Sequence, residues 1–286
     1  MKFGIMFANT GYGVTPDGAR SVGTIADDLG YESIWTVEHV VVPSEYESTY
    51  PYSPSGRMPG TEDAPIPDPL IWLTYVAAVT TRVRLATGIL ILPQRNPVIL
   101  AKELATLDVL SNGRLTLGVG IGWLREEFEA IGVPFEERAA ITDEHIEALR
   151  VLWQEPEPTH KGTYSSFERA KMYPKPVQPA GPPIVVGGHT KAAARRAGRI
   201  GDGFFPGKGS IDDLIALFDV ARDAAREAGR DPEALEITCG APPDVDYIKR
   251  LQDNGVSRIV VPGFGMSDEQ YRQLLGGFAD NVMAKF

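Results

Sequence analysis

Residues 83–92 read VRLATGILIL and residues 115–119 read LTLGV, two apolar runs with the length and composition of buried strands. Between these runs, Leu100, Leu104 and Leu107 recur at helical spacing. A strand, a helix and a second strand in succession are typical of a parallel sheet covered by helices.

The same alternation extends in both directions through the 286 residues. Further strand-like runs lie at Phe3–Phe7, Ser33–Thr36, Ile184–Val186, Gly203–Phe205, Leu235–Thr238 and Ser257–Val261. Helical stripes separate them, as at Val22, Ile25, Ala26 and Leu29, at Ile146, Leu149, Leu152 and Trp153, and at Leu214, Leu217, Phe218 and Ala221. With Asp268–Lys285 as the eighth helix, we predict an α/β fold, a (β/α)8 TIM barrel forming a single domain over residues 1–286.

A doubly wound open sheet is the competing fold, because it also alternates strands and helices. Such a sheet normally has fewer units and a glycine-rich turn after its first strand. The corresponding turn here, Asn9-Thr10-Gly11-Tyr12-Gly13, lacks the G-x-G-x-x-G spacing. The pattern therefore favours the barrel.

Two segments are too long for ordinary barrel loops, most of which have about 2–6 residues. Val37–Pro67 follows the second strand, so it starts at the C-terminal face, where barrels build active sites, and is a candidate lid. Glu155–Pro183 precedes the fifth strand, contains seven prolines and starts at the opposite end. We expect its His160 to be solvated.

The charge balance and the single cysteine exclude several classes of partner. The chain carries 28 basic and 38 acidic residues, a net charge of −10 that would repel a phosphate backbone, so we expect no nucleic-acid partner. Cys239 is the only cysteine, which excludes an internal disulfide and a cysteine zinc cluster. No apolar run approaches the ~18 residues of a membrane helix. We expect a cytoplasmic protein without a metal or a membrane partner.

The predicted strand ends exclude several barrel chemistries. The first strand has no His-x-His motif for a binuclear metal site, no strand end places a lysine inside the barrel, and no carboxylate pair suits glycoside hydrolysis. Glycines occupy four of the strand ends, where they permit close approach of backbone to a ligand. An apolar, glycine-rich mouth suits a flat ring and a small-molecule substrate.

A phosphate site is predicted at Gly187-Gly188-His189-Thr190, where the turn opens a helix at Lys191–Gly198. The N-terminus of a helix carries unpaired N–H groups and favours anions. The alternative is a glycine-rich turn with a threonine cap. The same helix carries Lys191, Arg195, Arg196 and Arg199, either as a solvated face or as an attractor for a polyanionic cofactor tail.

Three longer motifs resemble the bacterial luciferase-like oxidoreductase superfamily. They are Gly88–Pro93 with Arg95-Asn96-Pro97, Gly113–Trp123, and Ala197–Gly203. Trp123–Phe128 and Phe135-Glu136-Glu137-Arg138 look like the branch that uses the deazaflavin coenzyme F420. The similarity runs from residue 1 to about residue 205.

The resemblance implies a ring cofactor in the barrel mouth, held against a bulged third strand. A non-prolyl cis peptide is a trait of the family and would map to Gly88–Ile89. Gly120, Ile121 and Gly122 match the turn beside the ring, and Gly187, Gly188, His189 and Thr190 match the turn that takes the phosphate.

The resemblance also implies a catalytic acid–histidine pair at Glu38 and His39. Histidine can pass a proton near neutral pH, with the neighbouring carboxylate holding its tautomer. The structural alternative is that Glu38 caps a helix or pairs with a surface arginine while His39 lines the pocket. Related proteins often carry a tryptophan shortly after this histidine, but Val40-Val41-Val42-Pro43 stands here. Trp123 either stacks near the ring or plugs the mouth.

Three functions follow as hypotheses. The first is a coenzyme F420-dependent oxidoreductase that moves a hydride to or from a small, apolar organic substrate. The second is an FMN-dependent monooxygenase, and the third is a non-catalytic protein that binds a flavin or deazaflavin. A homodimer is compatible with all three, and the sequence names neither the substrate nor the direction of the reaction.

Overall fold

The computed structural model describes residues 1–264 and 267–286. The strands are β1 (Lys2–Met6), β2 (Ser33–Thr36), β3 (Arg84–Thr87), β4 (Leu90–Ile91), β5 (Leu115–Gly120), β6 (His160–Lys161), β7 (Ser166–Phe167), β8 (Ile184–Gly187), β9 (Gly203–Phe205), β10 (Glu236–Gly240) and β11 (Val256–Pro262). The helices are α1 (Pro16–Leu29), α2 (Pro69–Ala77), α3 (Pro97–Leu110), α4 (Arg125–Ala130), α5 (Arg138–Gln154), α6 (Lys191–Ile200), α7 (Ile211–Glu227), α8 (Val245–Asp253) and α9 (Asp268–Asn281).

Within the described residues, eight parallel strands close into a barrel in the order β1, β2, β3, β5, β8, β9, β10 and β11. The ring closes where β11 pairs with β1, with Phe3 opposite Ile259, and where β3 pairs with β5. The predicted TIM barrel is confirmed. An open sheet would have an unpaired strand at each edge, whereas each of these eight strands pairs with a neighbour on both sides, so the open sheet is excluded.

The third strand differs from the single run predicted from the sequence. It breaks after Thr87 and resumes as β4, which pairs with the end of β5. The peptide bond between Gly88 and Ile89 in this break is cis, as the family resemblance implied. The break forms the bulge that faces the barrel mouth.

The core has an outer and an inner part. The outer part lies between strands and helices and contains, among others, Ile25, Leu104 and Phe218, none of them exposed. The inner part fills the barrel with five buried side chains: Trp35, Ala86, Val185, Phe205 and Val260. The packed interior places any ligand site above these side chains, at the C-terminal ends of the strands.

Local sequence signals set the helix ends. Thr15 caps α1, with its hydroxyl accepting a hydrogen bond from the Gly18 N–H at 3.0 Å, and Pro16 takes the first helical position. Gly30 ends the helix with a φ of +77°, a left-handed conformation that glycine adopts without a Cβ penalty. Among the described residues, no helix combines the length and apolar character needed to cross a membrane.

The Val37–Pro67 insertion is fastened at both of its ends by Asn9, at the C-terminal end of the first strand. The Asn9 side chain donates to the carbonyl oxygens of Val37 and Pro67 at 2.8 and 3.1 Å, and accepts from the Val37 N–H at 2.8 Å. Asn9 is fully buried. The insertion is thus anchored at the mouth, as predicted for a lid.

The Glu155–Pro183 segment packs at the other end of the barrel. Its Gln178 donates to Asp108 at 2.7 Å and to the carbonyl oxygen of Leu115, where β5 begins, at 2.8 Å. The expectation for His160 was wrong: it is buried and its ring packs against Phe167, because β6 and β7 form a hairpin.

Candidate active site

The predicted site residues meet at one end of the barrel. Glu38, Gly88, Gly120 and Gly187 all lie at or just beyond the C-terminal ends of parallel strands. The expectation that they face the same mouth is therefore confirmed. Cys239 on β10 is buried in the outer core, and burial raises the pKa of its thiol to about 12, which makes it an inert thiol.

Ile89 lies between two of the predicted glycines. A Cβ on Gly120 would clash with the Ile89 Cδ1 atom, and a Cβ on Gly187 would lie 2.6 Å from its Cγ2 atom. Ordinary van der Waals contact requires about 3.5–4.0 Å between carbons. The glycines at these two strand ends therefore make room for the Ile89 side chain.

Gly122 turns the chain beyond β5. Its φ of +79° lies in the left-handed region, and a Cβ there would lie 2.6 Å from the ring of Phe128. Both constraints require glycine. Ile121 precedes it and is partly exposed at the mouth.

The side chain of Glu38 does not partner His39, which corrects the predicted pairing. Glu38 accepts hydrogen bonds from the Ile91 N–H at 2.6 Å and from the Arg95 Nε at 3.1 Å, with Arg95 also forming an ion pair to Asp68 at 2.8 Å. Glu38 and His39 lie in the loop after β2, and the Glu38 side chain turns toward β4 through its contact with Ile91. Glu38 has the structural role given as the alternative, although the arginine is mostly buried.

Burial and the neighbouring charges act in opposite directions on the pKa values of Glu38 and Arg95. Burial raises the pKa of the Glu38 carboxyl, against the opposing effects of the Arg95 charge and hydrogen bonds and the Ile91 N–H. Burial likewise acts to lower the pKa of Arg95, but Glu38 and Asp68 outweigh it and raise that pKa. Through its two ion pairs, Arg95 connects Glu38, near the start of the insertion, with Asp68, which follows its end.

His39 has a different carboxylate partner, Glu127 on α4. The Nδ1 atom of His39 lies 3.1 Å from the Oε2 atom of Glu127, with side-chain exposures of 10% and 0%. The other Glu127 oxygen accepts the N–H groups of Val40 and Val41 at 2.6 and 3.3 Å. A carboxylate accepts hydrogen bonds, so Nδ1 is the ring nitrogen that donates to Glu127, and Nε2 is the nitrogen left for another partner.

Sequence reasoning missed this role of Glu127. It lies within the Trp123–Phe128 motif, but an acidic residue in the first turn of a helix is usually an exposed partner of the helix dipole. The sequence offered one signal that Glu127 is buried: it directly precedes the apolar residue Phe128, which is also fully buried.

Aromatic rings line the mouth beside His39. The ring of Trp123 makes edge-to-face contacts with His39, Tyr46 and Tyr50, at centroid distances of 5.8, 5.6 and 5.1 Å. An indole therefore stands beside His39 although the residues after His39 are aliphatic. It comes from the loop after β5, and with Tyr46 and Tyr50 it forms an aromatic wall of the mouth.

Helix α4 holds the insertion over this wall. Glu126 accepts hydrogen bonds from the N–H groups of Glu47 and Ser48 at 2.7 and 3.1 Å, and from the Ser48 hydroxyl at 2.7 Å. Burial opposes ionisation here, but these hydrogen bonds prevail and lower the pKa of Glu126 to about 2. Adjacent glutamates on α4 therefore fix two parts of the insertion.

The Gly187–Thr190 turn has the features of an anion site. Gly188 has a φ of +127°, and a Cβ there would lie 2.9 Å from the Cβ of Ala193. The Thr190 hydroxyl accepts from the Ala193 N–H at 3.2 Å, which confirms the threonine cap. The Nδ1 atom of His189 is buried without a hydrogen-bond partner in the described residues. Its unpaired nitrogen and the glycine turn fit a phosphate group.

Cationic side chains border the turn. Lys191 and Lys208 line an open cleft of about 430 Å³ together with His189. Burial lowers the pKa of His189, and the charge of Lys208 lowers it further. The His189 ring is therefore neutral at pH 7. The positive charges that attract an anion to the turn are those of Lys191 and Lys208.

Two of the four cations on α6 are not available to a cofactor tail. Arg196 and Arg199 both form ion pairs with Asp143 on α5, and Arg196 is buried. Both therefore face the neighbouring helix. The predicted attraction of a tail by all four residues is wrong for these two, whereas Lys191 lines the cleft and Arg195 is exposed.

Comparisons with known proteins agree with this geometry. A protein of Mycobacterium tuberculosis, described as uncharacterised, is 35% identical over 270 residues, which cover 91% of this chain and 92% of that protein. The F420-dependent glucose-6-phosphate dehydrogenase of Amycolatopsis mediterranei is 33% identical over 238 residues, 80% of this chain and 66% of that enzyme.

The crystal structure of the monooxygenase RslO1 from Streptomyces bottropensis superposes with a TM-score of 0.78 and 26% identity, covering 100% of this chain and 99% of that one. The family model described as luciferase-like monooxygenase matches residues 1–247. The chain therefore belongs to the luciferase-like monooxygenase family of oxidoreductases.

Proposed function

We propose that this protein is a coenzyme F420-dependent oxidoreductase that moves a hydride to or from a small, apolar organic substrate. The observation that carries the proposal is the His39–Glu127 pair, which lies under an aromatic wall in a barrel mouth. The same mouth has a turn suited to phosphate at Gly187–Thr190. When bound, the deazaflavin ring would supply the two-electron chemistry.

The residues divide the work of binding. Four residues would support the ring: Ile89, Gly120, Ile121 and Gly122. The glycines at the ends of β5 and β8 leave room between them for the Ile89 side chain. Gly187, Gly188, His189 and Thr190 would hold the phosphate through the turn. The assignment of these eight residues and of Gly88 to the cofactor rests on the family resemblance and on this geometry.

His39 would serve as the proton carrier. With Nδ1 donating to Glu127, Nε2 is the atom that would accept a proton from the substrate or return one. Glu127 would stabilise the charged ring that forms, and the N–H groups of Val40 and Val41 keep the carboxylate in place. Glu38 takes no part in this transfer; its carboxyl is committed to Arg95 and Ile91.

Two observations support the deazaflavin over FMN. The first is a relative named an F420-dependent enzyme, which aligns with 80% of this chain at 33% identity. The alignment covers 66% of that relative. The second is the pair Lys191 and Lys208 beside the phosphate turn, which suits a cofactor whose anionic chain continues beyond the phosphate. FMN ends at its phosphate and would not need them.

An FMN-dependent monooxygenase is the second candidate. The similar structure from Streptomyces bottropensis is that of a monooxygenase, and its alignment covers the entire chain. In that case oxygen would be a second substrate. The apolar aromatic wall formed by Tyr46, Tyr50 and Trp123 fits an apolar substrate under either candidate.

A titration followed by turnover distinguishes the candidates. Purified protein is titrated with coenzyme F420 and with FMN by fluorescence, and then assayed with a panel of alcohols, aldehydes, enones and aromatic compounds. We expect tighter binding of coenzyme F420 and its oxidation or reduction without oxygen. Turnover that requires FMN and consumes oxygen would favour the monooxygenase. Binding without turnover across the panel would favour a non-catalytic binding protein, and binding of neither cofactor would overturn the proposal.

A further inference from the structure

A continuous series of ring contacts joins the phosphate turn to His39. The Tyr52 ring lies 5.0 Å from the His189 ring and 5.4 Å from the Tyr50 ring, measured between centroids. Tyr50 in turn lies 5.1 Å from Trp123, which lies 5.8 Å from His39. The insertion thus contacts both ends of the proposed cofactor site.

The tip of the insertion rests on the segment that follows β9. Gly207 lies against the Tyr52 ring so closely that a Cβ there would clash with it. Next to it, Lys208 donates from its Nζ atom to the Pro51 carbonyl oxygen. Lys208 and His189 also line the cleft beside the turn. Residues that contact the tip therefore belong to the surface offered to the anion.

The two halves of the insertion are held differently. Its N-terminal half is hydrogen bonded to buried or helix-borne carboxylates, as at Val40 and Ser48. The 50–56 turn is closed by its own Tyr50–Gly56 backbone bond of 2.8 Å and reaches the barrel through Tyr50, Tyr52 and the Lys208 contact. Tyr52 itself is 41% exposed. Such a segment has a low local stability and can respond to a bound ligand.

We propose that Tyr52 is a positioning residue that couples occupancy of the phosphate turn to the aromatic wall beside His39. An anion at the turn fixes His189 and Lys208, these fix Tyr52, and Tyr50 and Trp123 follow through ring packing. Cofactor binding then restrains the rings that form the substrate side of the mouth. This inference rests on the proposed binding of a phosphate-bearing cofactor at Gly187–Thr190.

The test is hydrogen–deuterium exchange of the full chain, alone and saturated with coenzyme F420 or FMN. Coupling between sites in proteins is worth about 5- to 150-fold, so we expect at least about fivefold slower exchange in peptides covering residues 46–58 and 121–124. Tyr52→Ala should bind the cofactor but lose this protection, and Tyr52→Phe should keep it because the ring makes the contacts. Tyr75→Ala is the matched control, since Tyr75 is 39% exposed and lies on α2.

Each other outcome overturns the inference in a recognisable way. If cofactor binds but protection is absent, or is unchanged in Tyr52→Ala, Tyr52 couples nothing and the proposed function stands. Loss of cofactor binding in Tyr52→Ala alone would make Tyr52 a direct ligand contact instead. If neither cofactor binds the unsubstituted protein, the proposed function fails and the inference fails with it.

Discussion

His39 and Glu127 are 88 positions apart in the chain, yet the Nδ1 and Oε2 atoms of their side chains lie 3.1 Å apart at the barrel mouth. The contact exists because His39 follows β2 and Glu127 lies on α4, after β5. Glu127 has no exposed side-chain surface and is held by two backbone N–H groups. A buried carboxylate placed this way orients an imidazole and stabilises its charged form.

His39→Ala should lower maximal turnover by about 10²–10⁴-fold, the usual contribution of general acid–base catalysis, with cofactor affinity nearly unchanged. Glu127→Gln should lower kcat by about 10- to 10⁴-fold, because the amide can hold the ring in the wrong tautomer. Glu129→Gln, an exposed substitution on the same helix, is the control. Steady-state kinetics at saturating cofactor gives the answer, and a maximal rate within a few-fold of normal in His39→Ala would remove His39 from the reaction.

Glu38→Gln should act on stability instead of proton transfer. Removing one member of a buried ion pair typically costs about 3–5 kcal/mol, and we expect about 3 because Arg95 keeps its contact with Asp68. The free energy of unfolding in urea measures this, with Glu45→Gln on the exposed part of the insertion as control. A fully stable Glu38→Gln protein with impaired turnover would restore Glu38 to the catalytic pair.

Gly120→Ala should destabilise the protein by about 1–3 kcal/mol, the usual cost of overpacking, because the new methyl group meets Ile89. Shortening Ile89 to alanine in the same chain should recover part of this loss. Thermal unfolding of the two single variants and the double variant measures the coupling. Additive effects would show that Ile89 does not fill the space that the glycine leaves.

Affinity for coenzyme F420 should fall as ionic strength rises, because exposed charges are screened over about 10 Å at 0.1 M salt. The salt dependence should decrease in Lys191→Ala and Lys208→Ala, which alter the cleft. Arg199→Ala should leave it unchanged, because Arg199 pairs with Asp143 on α5. Fluorescence titrations at several salt concentrations make the comparison, and an affinity independent of salt would exclude the cleft as the site of the anionic tail.

The barrel could be predicted because its signals are local. Alternating apolar runs and helical stripes identify each strand and helix. Eight strand–helix pairs in a chain of this length can be arranged in only a few ways. The residues at the strand ends could then be predicted to lie together, since parallel strands bring their C-terminal ends to one face. The cis peptide at Gly88–Ile89 came from the family resemblance, because no local pattern specifies it.

The carboxylate partner of His39 could not be predicted in the same way. Adjacency in sequence favoured Glu38, but the Glu38 side chain contacts Ile91 and Arg95. The partner of His39 came from α4, a helix three strands later in the chain. The pairing of Arg196 and Arg199 with Asp143 was missed for the same reason: a helix stripe shows which residues share a face and does not show what covers it. Side-chain pairs between distant elements depend on packing, which a single sequence does not report.

The measurement that tests the account most directly is a crystal structure of the protein with coenzyme F420. We predict that the deazaflavin ring lies against Ile89, that its phosphate contacts the Gly188–Thr190 turn, and that the Nε2 atom of His39 faces the reactive ring carbon across the space of a small substrate. Reacting atoms in productive complexes lie about 3–3.5 Å apart, so a substrate analogue should fit between the two. A ring bound outside the mouth, or a phosphate held away from the turn, would contradict the proposed site and the proposed function.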